Sequence, residues 1–218
     1  MLLISIDTSG RKGSVALCRG DAGSFETLQL ATLDGGTYSA RLMPVIAEIL
    51  ENNKFKKSDL DGFVVVSGPG SFTGLRVGLA TVKGLCEVLG KPLATVSMLE
   101  AIAVTHGSGE VTVVTDAGRG EAYVGEYVVN AGVARPEREL VVKLAEFPVD
   151  RTVLTPDKTV AEVLQSAGAR VSLVEPIHAD GIGRIGLRKL LAGDLADATT
   201  VDVNYVRRSD AEIFAKPR

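Results

Sequence analysis

The sequence predicts an α/β fold built from two similar halves. Three observations carry that expectation. Short apolar runs, each long enough for one strand, alternate with longer stretches of helical period. Within the first hundred residues the order is three strands, then helix, strand, helix and strand, which is an α/β layer on a mixed sheet. An apolar strand, an aspartate, small residues, an arginine and a second strand then occur twice, in LLISIDTSGRKGSVALCRG and in VTVVTDAGRGEAYVGEYVV. Asp7 thus answers to Asp116 and Arg11 to Arg119, as an internal duplication requires.

LLISI, GSVALCR and FETLQL read as three short strands separated by Gly-rich turns; SIDTSGRKGS makes the first hairpin. TYSARLMPVIAEILEN has helical period. At about 100° per residue, Leu42, Met43, Val45, Ile46, Ile49 and Leu50 spread over roughly 160°, more than one sheet-facing stripe needs. GFVVV is an unbroken apolar run, as in a strand covered on both faces. FTGLRVGLATVKGLCEVLG is a second helix, LATV another strand and MLEAIAV a third helix. A boundary near Val104 gives domains 1–104 and 105–218. In the second, TVLTP, TVAEVLQSAG, RVSLV and IGRIGLRKLLAG are strand, helix, strand and helix, with the C-terminal stretch free to fold back onto the first half.

SGPGSFTGLR, between GFVVV and the second helix, admits two explanations. Backbone N–H groups at a glycine-rich helix start form an anion cradle, and the same glycines allow close packing. Spacing decides against the familiar cradles. The Walker pattern needs a second glycine followed by lysine five residues on, but Gly68 leads to Thr73 and Gly70 to Leu75. The dinucleotide fingerprint fails because Gly74 comes one residue late. A tight strand-to-helix connection with Ser71 or Thr73 as N-cap is the preferred reading. In the helix that follows, Leu75, Val77, Leu79, Val82, Leu85, Cys86, Val88 and Leu89 surround the axis, and Gly74, Gly78, Thr81 and Gly84 form a face that another backbone can approach. Some of this apolar surface is expected to face a partner, so Gly78→Leu is expected to harm partner binding more than folding.

Composition narrows the chemistry. With 45% hydrophobic and 23% charged residues the chain is an ordinary globular one. Its formal net charge of −3 argues against unaided capture of nucleic acid as the main activity. MLLISIDTSG has five apolar residues with no basic stretch before them, and it is read as neither signal peptide nor membrane span. Cys18 and Cys86 are far apart and fit reduced thiols. His106 and His178 are the only histidines; no two lie within a helix turn and no Cys-x-x-Cys occurs, so a metal site built on them is not expected. Neither histidine adjoins a nucleophile motif.

The first half resembles a ribonuclease-H-like half domain. Paired halves that each open on a strand, an aspartate and a small-residue hairpin resemble the actin, Hsp70 and sugar-kinase (ASKHA) superfamily, in which such hairpins hold ATP phosphates and metal. IDTSGRKGSVAL, SGPGSFTGLRVGLATVKGL and DAGRGEAYVGEY together are similar to the TsaB (YeaZ) family, over Leu2 to about Val129 and again in VDVNYVRRSD. The resemblance implies two tandem ribonuclease-H-like domains. It also implies a cytoplasmic, noncatalytic dimerisation subunit that supports a TsaD-like catalytic subunit, alongside a TsaE-like ATPase, in forming N6-threonylcarbamoyladenosine at position 37 of tRNA. TsaD-like relatives place a His-x-x-x-His metal pair on the first helix; this helix has no histidine, and Tyr38 stands where many TsaB sequences keep one.

The site expectations follow from both sources. The partner interface is assigned to Tyr38, Arg41, Leu42, Val45 and Ile49 on the first helix and Gly74, Leu75, Gly78, Leu79 and Val82 on the second. Asp7, Thr8 and Ser9 are either a residual nucleotide-phosphate hairpin or a strand end in which the aspartate caps its own turn. No cofactor is required by this chain, and ATP or ADP is allowed at a shared interface. A homodimer is expected when the chain is alone, with tRNA contacted mainly through the complex. The rival functions are an ATPase or kinase of the same superfamily and a tRNA-binding module using Arg207, Arg208, Lys216 and Arg218.

Overall fold

The computed structural model describes residues 1–204; Arg207, Arg208, Lys216 and Arg218 lie outside the described residues. In chain order the elements are β1 (Leu2–Asp7), β2 (Lys12–Gly20), β3 (Phe25–Asp34), α1 (Tyr38–Asn52), β4 (Gly62–Gly68), α2 (Phe72–Leu89), β5 (Leu93–Ser97) and α3 (Met98–His106). There follow β6 (Gly109–Gly118), β7 (Glu121–Asn130), β8 (Val133–Lys143), β9 (Thr152–Thr155), α4 (Lys158–Ser166), β10 (Arg170–Leu173) and α5 (Ala179–Ala192). Two five-stranded sheets result, ordered β3-β2-β1-β4-β5 and β10-β9-β6-β7-β8. Read from the other end, the second order repeats the first: in each, an opening strand pairs antiparallel with the next and parallel with a later one.

The chain forms two compact units. The first comprises Met1–Ala101 with Ile177–Val203, and the second contains Ile102–Pro176. The expected continuous second domain, 105–218, is therefore corrected: residues 177–203 complete the first unit. The cause is α5. Its glycines let the helix lie directly on the first sheet, where Gly186 abuts Val64 and Gly183 abuts Ser5 and Cys18. The other face of that sheet is covered by α1 and α2. Helices on both faces explain why β1 is buried throughout, apolar or small up to its terminal Asp7, and why the first five of the seven residues in β4 are buried apolar or small residues.

In the second unit Val114, Ala122, Val124 and Val153 from the sheet pack with Val160 and Leu164 of α4. β8 was not among the strands expected from sequence. Its VARPEREL has charges and a proline, but as an edge strand it needs only one partner, and the register with β7 shifts between Glu126 and Tyr127, opposite Pro136.

Candidate functional site

The β1–β2 hairpin tip is built from its first aspartate outward. Asp7 ends β1, and its Oδ1 accepts from Ser9 N at 2.8 Å and from Ser9 Oγ at 2.6 Å. This is an aspartate capping its own turn. Burial pushes the Asp7 carboxyl above its ordinary value; the Ser9 hydroxyl and amide oppose that, and His178 nearby favours the charge. Asp7, Thr8 and Ser9 are all buried, and Thr8 Oγ1 has no hydrogen-bond partner.

What buries the tip is SGPGSFTGLR. Ser71 N donates to Ser9 O at 2.6 Å, and Ser71 Oγ accepts from Gly74 N as the N-cap of α2. A Cβ at Gly74 would overlap the Thr8 carbonyl, and one at Gly78 would overlap the Thr8 hydroxyl. Tyr38, the first residue of α1, closes the other side: its hydroxyl donates to Gly10 O at 2.8 Å, and its ring lies against Gly13 and Gly74. Desolvation, with Asp7 and Asp34 adding to it, pushes the Tyr38 phenol up to about 12, so it remains a donor at neutral pH. The glycine-rich stretch is thus a clasp on the chain's own hairpin.

The same geometry corrects the interface assignment. Tyr38, Leu42, Val45, Ile49, Gly74, Leu75, Gly78, Leu79 and Val82 are interior to the first unit; only Arg41 is exposed. The apolar stripes are broad because α1 and α2 cover the sheet and also meet each other. Of the small-residue face of α2, Gly74 and Gly78 are filled by Thr8, while Gly84 is open to solvent. The apolar positions that do reach solvent are on the outer sides of these helices. They are Ala40, Met43, Pro44 and Ala47 on α1, and Ala80, Gly84 and Val88 on α2, where Val88 is 82% exposed. Helical phase could have found them, since Ala80, Gly84 and Val88 recur every fourth residue opposite Leu75, Leu79 and Val82.

In the second unit Asp116 repeats the turn of Asp7, its Oδ1 accepting from Gly118 N at 2.8 Å, but it is exposed. Asp116 N donates to Asp157 Oδ2 at 2.8 Å. Burial, with the neighbouring Asp116 charge adding to it, raises the Asp157 carboxyl against that hydrogen bond. Among the described residues no three His, Cys, Asp or Glu side chains gather as metal ligands, and no helix is long and apolar enough to cross a membrane.

Comparison with known proteins adds the family. The family model described as TsaD: tRNA N6-adenosine threonylcarbamoyltransferase matches residues 35–192. The tRNA threonylcarbamoyladenosine biosynthesis protein TsaB of Bacillus subtilis (strain 168) is 35% identical over 135 residues, 61% of this chain and 58% of that protein. TsaB of Escherichia coli (strain K12) is 30% identical over 131 residues, 58% of this chain and 55% of that one. The matched stretch therefore spans little more than half the length of these relatives. A crystal structure described as an uncharacterized protein with similarity to peptidase YEAZ from Pseudomonas aeruginosa superposes with a TM-score of 0.78 at 24% identity, covering 94% of this chain and 99% of that one. The activator of 2-hydroxyisocaproyl-CoA dehydratase from Clostridium difficile, with bound ADPNP, superposes at 0.52 with 9% identity over 89% of this chain and 97% of that one. At these identities the two structures show a shared fold.

Proposed function

Because the chain belongs to the family of TsaD: tRNA N6-adenosine threonylcarbamoyltransferase, and within it to the TsaB (YeaZ) group, we propose that it is a noncatalytic subunit that binds a TsaD-like catalytic subunit in forming N6-threonylcarbamoyladenosine at position 37 of tRNA. It acts in the cytoplasm beside a TsaE-like ATPase, meets tRNA mainly through the complex, and pairs with itself when the catalytic subunit is absent. The fold is that of the actin, Hsp70 and sugar-kinase superfamily, a reading supported by the repeated sheet order.

One observation carries the partner-binding reading. Two neighbouring helices of the first unit present apolar groups to solvent along their outer sides, from Ala40 to Ala47 and from Ala80 to Val88. Clustered apolar exposure of this kind marks a protein-binding surface. The interface thus uses the helices expected from sequence but their opposite faces. The chain requires no cofactor of its own, which fits a hairpin whose Asp7, Thr8 and Ser9 are turned inward and clasped by α2. ATP or ADP is left to a surface shared with the catalytic subunit.

Co-purification with the cognate TsaD-like chain, followed by a tRNA transfer assay with each subunit alone and with both, tests the reading. Binding and a requirement for both chains are expected. Modified tRNA formed by this chain alone, or no association at micromolar concentration, overturns it. Titration of the isolated chain with ATP and magnesium separates the rival: tight binding with turnover would make it an ATPase or kinase.

A further inference from the structure

The outer sides of α1 and α2 carry charges in an order that neither helix needs for itself. β3 and β4 point the same way, and each helix runs back over the sheet from the strand before it. The two helices touch and start together, the Tyr38 ring at the head of α1 lying against Gly74 at the head of α2. Along both, the exposed residues read alike. A cation stands near the N-terminus, Arg41 on α1 and Arg76 on α2. Small residues hold the middle, Pro44 and Ala47 on one and Ala80 and Gly84 on the other. Acids close the helix, Glu48 and Glu51 on α1 and Glu87 on α2. From Arg41 to Glu51 is roughly 15 Å along the axis. A helix dipole favours the reverse, acids first and bases last, yet neither helix has an acid in its first turn or a base in its last. Among the described residues, Arg41, Glu48, Glu51 and Glu87 form no ion pair.

We propose that this charge order seats a second copy of the chain antiparallel on the same face, the basic end of each helix pair against the acidic end of the other. The proposal rests on the outer sides of α1 and α2 being a docking surface. A face whose two ends carry opposite charge is complementary to itself turned around, and that identifies a second copy as the occupant. A two-fold axis perpendicular to the helices makes each cation-to-acid contact twice in one dimer. The parallel arrangement sets cation against cation and acid against acid, and like charges so placed repel. The small middle residues let the helices approach closely, so the longer charged side chains at either end can reach across.

Sedimentation of the full chain tests this with two reversals at exposed sites: Arg41→Glu in one chain, and Glu48→Lys, Glu51→Lys and Glu87→Lys together in another. The parent is expected to dimerise, and its dimer to weaken as salt rises. Each reversed chain alone should self-associate on the order of tenfold more weakly, because every change counts twice about the axis. An equimolar mixture of the two should recover a mixed dimer. Both reversals bring the charges into line with the helix dipole, so the thermal midpoint of each chain, diluted to monomer, should not fall; a fall would assign these charges a role within the chain and overturn the proposal. Ala80→Trp, bulky and uncharged, separates the seat from the surface. A dimer broken by Ala80→Trp but indifferent to the reversals overturns the antiparallel seat and leaves the surface standing. A dimer indifferent to Ala80→Trp as well, or no self-association at micromolar concentration, removes both. A dimer that strengthens with salt is parallel and contradicts the proposal. Reversals that spare the dimer yet abolish capture of the TsaD-like chain reserve the charge order for that partner and contradict it too.

Discussion

Asp7 is a carboxylate that its own surroundings penalise. Its folded pKa is raised, chiefly by desolvation, so its contribution to stability is fully present below the unfolded value near 3.8 and is lost as pH rises through the folded pKa. Asp7→Asn keeps an oxygen for Ser9 and removes the charge. It is expected to be more stable than the parent at pH 7, with the difference closing below pH 4; urea unfolding at both pH values measures this. Gly78 gives a second prediction, opposite to the one made from sequence. A side chain there meets buried Thr8, so Gly78→Leu should destabilise the isolated chain by about 1–3 kcal/mol or more, read as an early thermal midpoint. Thr8→Val, which removes a hydroxyl without a partner, should not lower that midpoint. The N-cap role of Ser71 was legible because it depends on three neighbouring residues. The burial of Thr8 was not, since it depends on two segments more than sixty residues apart meeting at a pair of glycines.

At the scale of elements, α2 shows what periodicity can and cannot say. A helix apolar all round announces two buried sides, yet the pattern does not tell which side the parent sheet takes. Here the sheet and hairpin take Gly74, Leu75, Gly78, Leu79 and Val82, and Val88 is left outward. Val88→Glu is therefore expected to leave the stability of the free chain within about 0.5 kcal/mol of the parent while weakening capture of the TsaD-like subunit by tenfold or more, measured by titration calorimetry. Equal affinity for both chains would remove Val88 from the interface. Gly84 has open space around its Cα, so Gly84→Ala should stabilise the free chain by up to about 1 kcal/mol through helix propensity. β8 escaped the sequence reading because its charges and Pro136 suit an exposed edge better than they suit any alternating pattern.

For the whole molecule, the duplication was legible because aspartate, small residues and arginine recur at the same place in two strand pairs; the matching sheet orders follow from it. The return of the C-terminal stretch onto the first half was legible as well, but its boundary at residue 177 was not, because IGRIGLRKLLAG announces a helix without naming the sheet beneath it. If the outer sides of α1 and α2 are the docking surface, two copies of the free chain should close over them about a two-fold axis, and the catalytic subunit should displace one copy. Sedimentation showing a concentration-dependent dimer that persists intact in the mixed complex would contradict this. The return of α5 also sets an order of events during synthesis. The first sheet leaves the ribosome with Leu3, Ser5 and Val64 uncovered on one face, and it stays so until residues 179–192 have emerged. The intervening Ile102–Pro176 has by then been made in full, so the segment in the middle of the gene is free to finish folding before the one at its start. A nascent chain halted at Pro176 should accordingly recruit chaperones to its N-terminal sheet, and a permuted gene that begins with α5 should lose that dependence.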